Sequence, residues 1–239
     1  MKSTEQPCVY CGEPGTTGDH VPPQSYFDKP LPTKPSIPQV PSCEDCQKRF
    51  KKAEDYVRTI VILGGAEQST AGMKIEPAII RMFAMRKDPG LVGKIEAASQ
   101  RLTFVTPEGL FVGNRDVVDI DWAHVTLFTE KLIRGLYYIE RRTALPTDVL
   151  IGRVDHFRGN DNFLAEHLAI CRCGSLAWPG TFRYRWNIAT KNPQVSLWWF
   201  VLYDTFVWHS MSFDADAELG WRERNKTRTN ATREPSGDR

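Results

Sequence analysis

Six cysteines stand in three close pairs, Cys8 and Cys11, Cys43 and Cys46, and Cys171 and Cys173. The opening MKSTEQPC holds no hydrophobic signal region, and close pairs in such a chain favour metal or redox chemistry over structural disulfides. The first two pairs share Cys-x-x-Cys spacing, so each can form a knuckle that presents two thiolates to one tetrahedral zinc ion. Four sulfurs close the shell of that ion. The zinc is therefore expected to be structural, standing in for the core that a module of about 60 residues cannot build.

Between the knuckles runs Gly18-Asp19-His20-Val21-Pro22-Pro23. Neighbouring side chains on extended backbone point to opposite faces, which suits Asp19 and His20 to different work. Asp19 offers oxygen to a hard divalent cation, and His20, which titrates near neutrality, can take a proton from water. A second such pair, Asp155-His156, falls in an expected strand with no cysteine nearby and reads as turn or packing residues. Cys171 and Cys173, with His167 and His209, spell a possible second metal site. Cys-x-Cys on a strand splays its thiols to opposite faces, however, and buried small residues are the better expectation.

The elements that must position these groups follow from periodicity and punctuation. Residues 12–42 are rich in Gly and Pro and are expected to be turns with short strands. Phe50, Ala53, Tyr56, Val57, Ile60 and Val61 recur at helical spacing, so 47–62 reads as an amphipathic helix ended by Gly64-Gly65. Helices are expected at 77–86 and 91–101, split by Asp88-Pro89-Gly90, then a hairpin over 102–112 and a helix over 122–142. A strand at 148–157, a short helix near 161–169 and strands at 181–190, 195–203 and 205–213 complete the body. Phe182, Tyr184 and Trp186 alternate with Arg183 and Arg185, which favours an aromatic core over a stacking platform for single strands. The tail 222–239 has no apolar periodicity and is expected to be flexible and basic. Its Asn225 and Asn230 match a glycosylation pattern that a cytosolic chain would not use.

The order Cys-x-x-Cys, Asp-His-x-Pro-Pro, Cys-x-x-Cys and basic helix resembles the zinc-knuckle HNH endonucleases. The residues that carry the resemblance are CVYC (8–11), GDHVPP (18–23) and CEDCQKRFKKAEDY (43–56), within about residues 7–58. The resemblance implies a ββα-metal module in which Cys8, Cys11, Cys43 and Cys46 hold structural zinc. Asp19 is then the metal-binding acid and His20 the general base. Gln47 stands where the family commonly has His or Asn to complete the catalytic cation site, and its carbonyl can ligate Mg²⁺. The stretch TKPSIPQVP (33–41) has no counterpart of the family's asparagine that braces the hairpin loop. The implied activity is hydrolysis of phosphodiester bonds with Mg²⁺ or Mn²⁺, with DNA the expected substrate, although the same groups act on the phosphate shared with RNA. Lys48, Arg49, Lys51 and Lys52 are expected to contact phosphates beside the cut. The rival expectation is a catalytically degenerate zinc module that binds nucleic acid or a protein partner.

Composition bounds the rest. The chain has 239 residues, 41% hydrophobic and 25% charged, with formal charge +2. Mean hydropathy is −0.40, an ordinary globular composition that excludes wholesale disorder and collagen-like repetition. Residues 1–63 balance eight basic against eight acidic side chains, so any grip on nucleic acid must come from local clusters. The longest apolar run, 59–65, is far short of the roughly 18 residues that a membrane span needs, so no membrane association and a cytoplasmic location are expected. The expected architecture is α+β: a ββα-metal module at 1–63, a larger α+β recognition or regulatory domain with a mostly antiparallel sheet at 64–221, and the tail at 222–239. That arrangement would suit phage defence or a mobile element, with a regulatory protein or a second copy as further partner.

Overall fold

The computed structural model describes residues 6–65, 69–152, 155–156 and 168–214. Most of the expected helix near 161–169 lies outside these residues, as do His167, Asn225, Asn230 and the tail 222–239. The architecture is α+β, and every strand pairing in the described sheets is antiparallel.

Strand β1 (Thr17–His20) pairs with β2 (Gln39–Ser42), and helix α1 (Glu44–Leu63) follows directly. Cys43 caps α1, its sulfur accepting the Cys46 amide, while Glu44 and Asp45 in the first turn complement the helix dipole. The far end stops at Gly64, whose amide closes on Ile60 O at 2.9 Å. Helix α2 (Thr70–Ala84) begins well before the expected start at 77, because the Ser69 hydroxyl caps it by accepting the Gly72 amide. Pro77 therefore sits inside a helix rather than opening one. Helix α3 (Pro89–Ala98) starts on the Asp-Pro-Gly run itself, with Asp88 Oδ1 accepting the Leu91 amide at 3.0 Å and Pro89 in the first turn.

Strands β3 (Ser99–Val105) and β4 (Phe111–Val118) make a separate two-stranded sheet, and α4 (Trp122–Arg141) follows it. Within the expected strand at 148–157 the described residues form β5 (Leu150–Ile151) and β6 (Asp155–His156), both laid on β10 (Phe206–Phe213), and 153, 154 and 157 lie outside the described residues. The remaining sheet runs β5-β10-β9-β8-β7, with β7 at Arg172–Cys173, β8 at Phe182–Ile188 and β9 at Ser196–Leu202.

The period-two pattern of β8 is realised, with Phe182, Tyr184 and Trp186 buried and Arg183 and Arg185 exposed. Those rings meet Trp198 and Phe200 of β9, with Trp186 and Trp198 stacked at 5.5 Å between centroids, and Phe200 in turn meets Trp208 of β10. The aromatic residues fill a core. Cys171 is buried and Cys173 exposed, so the Cys-x-Cys pair does splay.

One buried cluster runs from Cys8 and Tyr10 through α1 and α4 to Trp208, without a break at residue 64. Polar ties accompany it: Trp208 Nε1 donates to Thr129 Oγ1 at 2.9 Å, Tyr203 OH to Tyr26 O at 2.9 Å, and Trp178 Nε1 to Pro35 O at 2.8 Å. No helix among the described residues is long and apolar enough to cross a membrane.

Helix α4 reaches the residue after His20 because Gly135 carries no side chain. A Cβ there would lie 2.6 Å from Val21 Cγ2, and Val21 is fully buried. Gly135→Ala should lower stability in urea unfolding, since overpacking costs about 1–3 kcal/mol and outweighs the roughly 1 kcal/mol of helix propensity gained. Unchanged or raised stability would show that α4 does not press on the strand end.

Candidate functional site

The first knuckle is a tight turn. Cys8 N donates to Glu13 O at 2.7 Å, Gly12 N to Cys8 O at 2.9 Å, and Gly12 adopts a φ of 82° that a side chain would oppose. Val9 N donates to Pro41 O at 3.0 Å, which brings this turn alongside the end of β2. Cys43 and Cys46 occupy the cap and first turn of α1. All four sulfurs lie within 4.8 Å of one another, and Cys11 and Cys43 are 3.7 Å apart. A tetrahedron with zinc–sulfur bonds of about 2.3 Å has sulfur–sulfur edges of about 3.8 Å, whereas a disulfide needs about 2.05 Å.

The donor set fits zinc electrostatically as well. Burial raises the Cys8 thiol, but backbone hydrogen bonds, Tyr10's the strongest among them, bring it below its ordinary value. Burial pushes Cys11 and Cys46 up, Cys46 by far the more, aided there by hydrogen bonds with Cys11 and Cys43. Four thiolates cannot share this space unless a cation neutralises them. Bound there, zinc would meet a shell closed by sulfur, which marks it as structural. Among the described residues no other group of three or more potential ligands converges.

Asp19 and His20 do leave β1 on opposite faces. Asp19 turns inward, where Tyr10 OH donates to Oδ2 at 2.8 Å and the Lys131 ammonium donates to Oδ1 at 2.8 Å. Lys131 also donates to Glu54 Oε1, so β1, α1 and α4 each contribute one member of a buried ion triad. The Lys131 side chain is 1% exposed, Glu54 9% and Asp19 12%, which leaves the ammonium no route to bulk solvent. Burial raises the Glu54 pKa although Lys131 opposes it, and burial with the Asp19 charge lifts Tyr10 well above its usual value, keeping it a hydrogen-bond donor.

His20 is half-buried on the other face. Its Nε2 lies 2.8 Å from the Gln24 side-chain amide and 3.0 Å from that of Gln39. Burial lowers its pKa, with Asp19 opposing and Lys131 assisting, which favours the uncharged ring. Gln47 reaches the same strand from α1, its amide nitrogen donating to Gly18 O at 3.0 Å and to Thr17 Oγ1 at 3.4 Å.

Asp19, His20 and Gln47 thus surround one strand, but Asp19 and Gln47 meet protein groups rather than a shared vacancy. A divalent cation does not fit beside Asp19 as it stands, because an ammonium already neutralises that carboxylate. Three cations of α1 are solvent-facing and paired: Lys48 with Glu44 and Asp45, Lys51 with Asp55 at 3.0 Å, and Arg49 with Glu130 at 2.7 Å. Lys52 is exposed and makes no ion pair among the described residues.

Tyr10, Gln24, Gln39, Glu54 and Lys131 are the site residues that sequence reasoning missed. Two carried a signal. Lys131 falls on the apolar stripe of α4 beside Phe128 and Leu132, and Glu54 falls on that of α1 between Phe50 and Val57. A charge on a buried stripe needs a partner. No protein-family model, curated protein or solved structure matches the chain.

Purified protein should carry one zinc per chain by elemental analysis. Stripping it with a strong chelator should lower the thermal midpoint and expose the Tyr10 and Phe50 rings, which pack edge to face at 4.9 Å, and re-adding zinc should restore both. A midpoint indifferent to chelation would mean that the thiols do not hold the fold.

Proposed function

We propose that this chain carries a zinc-knuckle module of the HNH endonuclease type that grips nucleic acid by its phosphates, with DNA the expected partner, and does not hydrolyse it. The observation that supports this most is the environment of Asp19. Both of its carboxylate oxygens accept hydrogen bonds, one from an ammonium and one from a phenol. Admitting Mg²⁺ or Mn²⁺ there would expel or confront the Lys131 charge in a site with almost no access to water, where like charges interact strongly. The Gln47 amide, tied to Gly18 O, braces strand against helix, which is a structural task.

Binding is supported by the exposed face of α1. Its cations pair with acids three or four residues away in solvent, and such pairs are worth only about 0.3–0.5 kcal/mol. Lys48 and Lys51 can therefore exchange those partners for phosphates at little cost, and Lys52, which makes no ion pair among the described residues, can join them, releasing counterions from the nucleic acid.

One observation favours a second reading, in which His20 still activates water. A single imidazole nitrogen has one lone pair and cannot fully accept from both the Gln24 and Gln39 amides, and turning both amides over lets their carbonyls share the Nε2–H. That tautomer leaves the lone pair on Nδ1, the form a general base requires. Gln39 then braces the imidazole from the segment that lacks the family's asparagine.

Two assays on one preparation separate these readings. Fluorescence anisotropy with duplex DNA should show affinity falling steeply with salt, and the Lys48→Gln/Lys51→Gln/Lys52→Gln variant should flatten the log–log slope by roughly 0.9 for each phosphate no longer neutralised. Supercoiled plasmid incubated with Mg²⁺ or Mn²⁺ should stay intact. Nicking by the wild type that disappears in His20→Ala would establish the second reading, and salt-insensitive or absent binding would remove the first.

A further inference from the structure

Far along the chain from the zinc knuckles, a cavity of about 370 Å³ opens where the end of α4 meets β7 and the β8–β9 turn. Its wall holds two arginines, Arg141 and Arg172, together with the polar side chains of Asn187 and Thr190 and the apolar ones of Ile170 and Ile188. Among the described residues no acid lines it.

Elsewhere in the molecule Arg49, Arg58, Arg86, Arg134, Arg183 and Arg185 each have an acidic or carbonyl partner. Arg141 and Arg172 make no ion pair among the described residues. Glu140, the neighbour of Arg141, accepts from Tyr184 OH and the Ser175 amide, and Asp214 accepts from Asn192.

Arg172 is held in place. Pairing of β7 with β8 sets Arg172 opposite Trp186, and its guanidinium carbon lies 3.6 Å from the centroid of that ring. Stacking of this kind fixes the plane of the fork while leaving its N–H edge to donate, so little side-chain entropy is lost when an anion arrives. Arg141 stands in the last turn of α4, and Arg142 follows at the cap. Together they outweigh the partial negative charge of that helix end, which amounts to roughly half an elementary charge.

We propose that this cavity binds the phosphomonoester group of a nucleotide-sized ligand. Arg141 and Arg172 would grip the phosphate, Asn187 and Thr190 would supply further polar contacts, and Ile170 and Ile188 would pack against the attached body. Guanidinium forks match phosphate geometry, and the volume falls in the range of about 300–1,000 Å³ usual for small-molecule sites. It is too small for a duplex. The same chemistry is offered by a free mononucleotide and by a 5′-phosphorylated strand end. The site is independent of the phosphate contacts assigned to α1.

Isothermal titration of the full chain at low ionic strength tests this with AMP, adenosine, inorganic phosphate and a 5′-phosphorylated trinucleotide. AMP should bind, adenosine should not, and inorganic phosphate should bind more weakly than AMP. Arg141→Gln and Arg172→Gln, both at exposed positions, should each weaken AMP binding by about tenfold or more, as removal of a charge-assisted pair requires, with circular dichroism unchanged. Lys52→Gln on α1 should leave it unaltered. Preference for AMP over the trinucleotide would identify a free nucleotide as the ligand, and the reverse a strand end. No saturable heat with any probe at millimolar concentration, equal binding of adenosine and AMP, or variants that bind like wild type would each overturn the proposal.

Discussion

A single ammonium, that of Lys131, lies where a strand and two helices meet, and its burial constrains all three. Removing a charge of that size from water costs several kcal/mol even after the protein relaxes, so it persists only where partners of opposite charge are held in register. Asp19 from β1 and Glu54 from α1 provide them. A shift of α4 by one turn, or of β1 by one residue, would strand at least one of these charges. Gly135, one turn further along α4, permits the close approach to Val21 that keeps the strand within reach.

The sulfur cluster and the ion triad divide the work of positioning. The four thiols join the first knuckle to the beginning of α1, and the Gln47 amide continues that junction into β1. The triad then joins β1 and α1 to α4, and through the shared core to the aromatic sheet. Chemistry follows from this connectivity. Asp19 faces the interior because extended backbone sends it away from His20, and the interior offers it an ammonium in the place where a hydrolase would need a metal ion. His20 lies on the opposite face beside two glutamines, and the basic face of α1 stays in solvent.

Much of this is legible in the residues. The apolar spacing of α1 and α4, the alternation of β8 and the two Cys-x-x-Cys knuckles are local patterns, and each appears where periodicity places it. The start of α2 is not legible in the same way, because Pro77 looks like a helix opening whereas Ser69 has already capped one. The partners of Asp19 cannot be read locally. Lys131 is 112 residues away from it and 77 from Glu54, and only the path of α4 brings them together. The position of Gln47 is legible, but not the direction of its amide, which depends on where Gly18 presents its carbonyl.

The decisive question is whether the Asp19 carboxylate ever holds a divalent cation. Electron paramagnetic resonance of Mn²⁺ titrated into zinc-loaded protein answers it, with Asp19→Asn measured in parallel. The ammonium of Lys131 should keep the two proteins indistinguishable, with no bound Mn²⁺ that depends on Asp19. One tightly held Mn²⁺ in the wild type, absent in Asp19→Asn, would show that the cation displaces the lysine and that the module is built for hydrolysis.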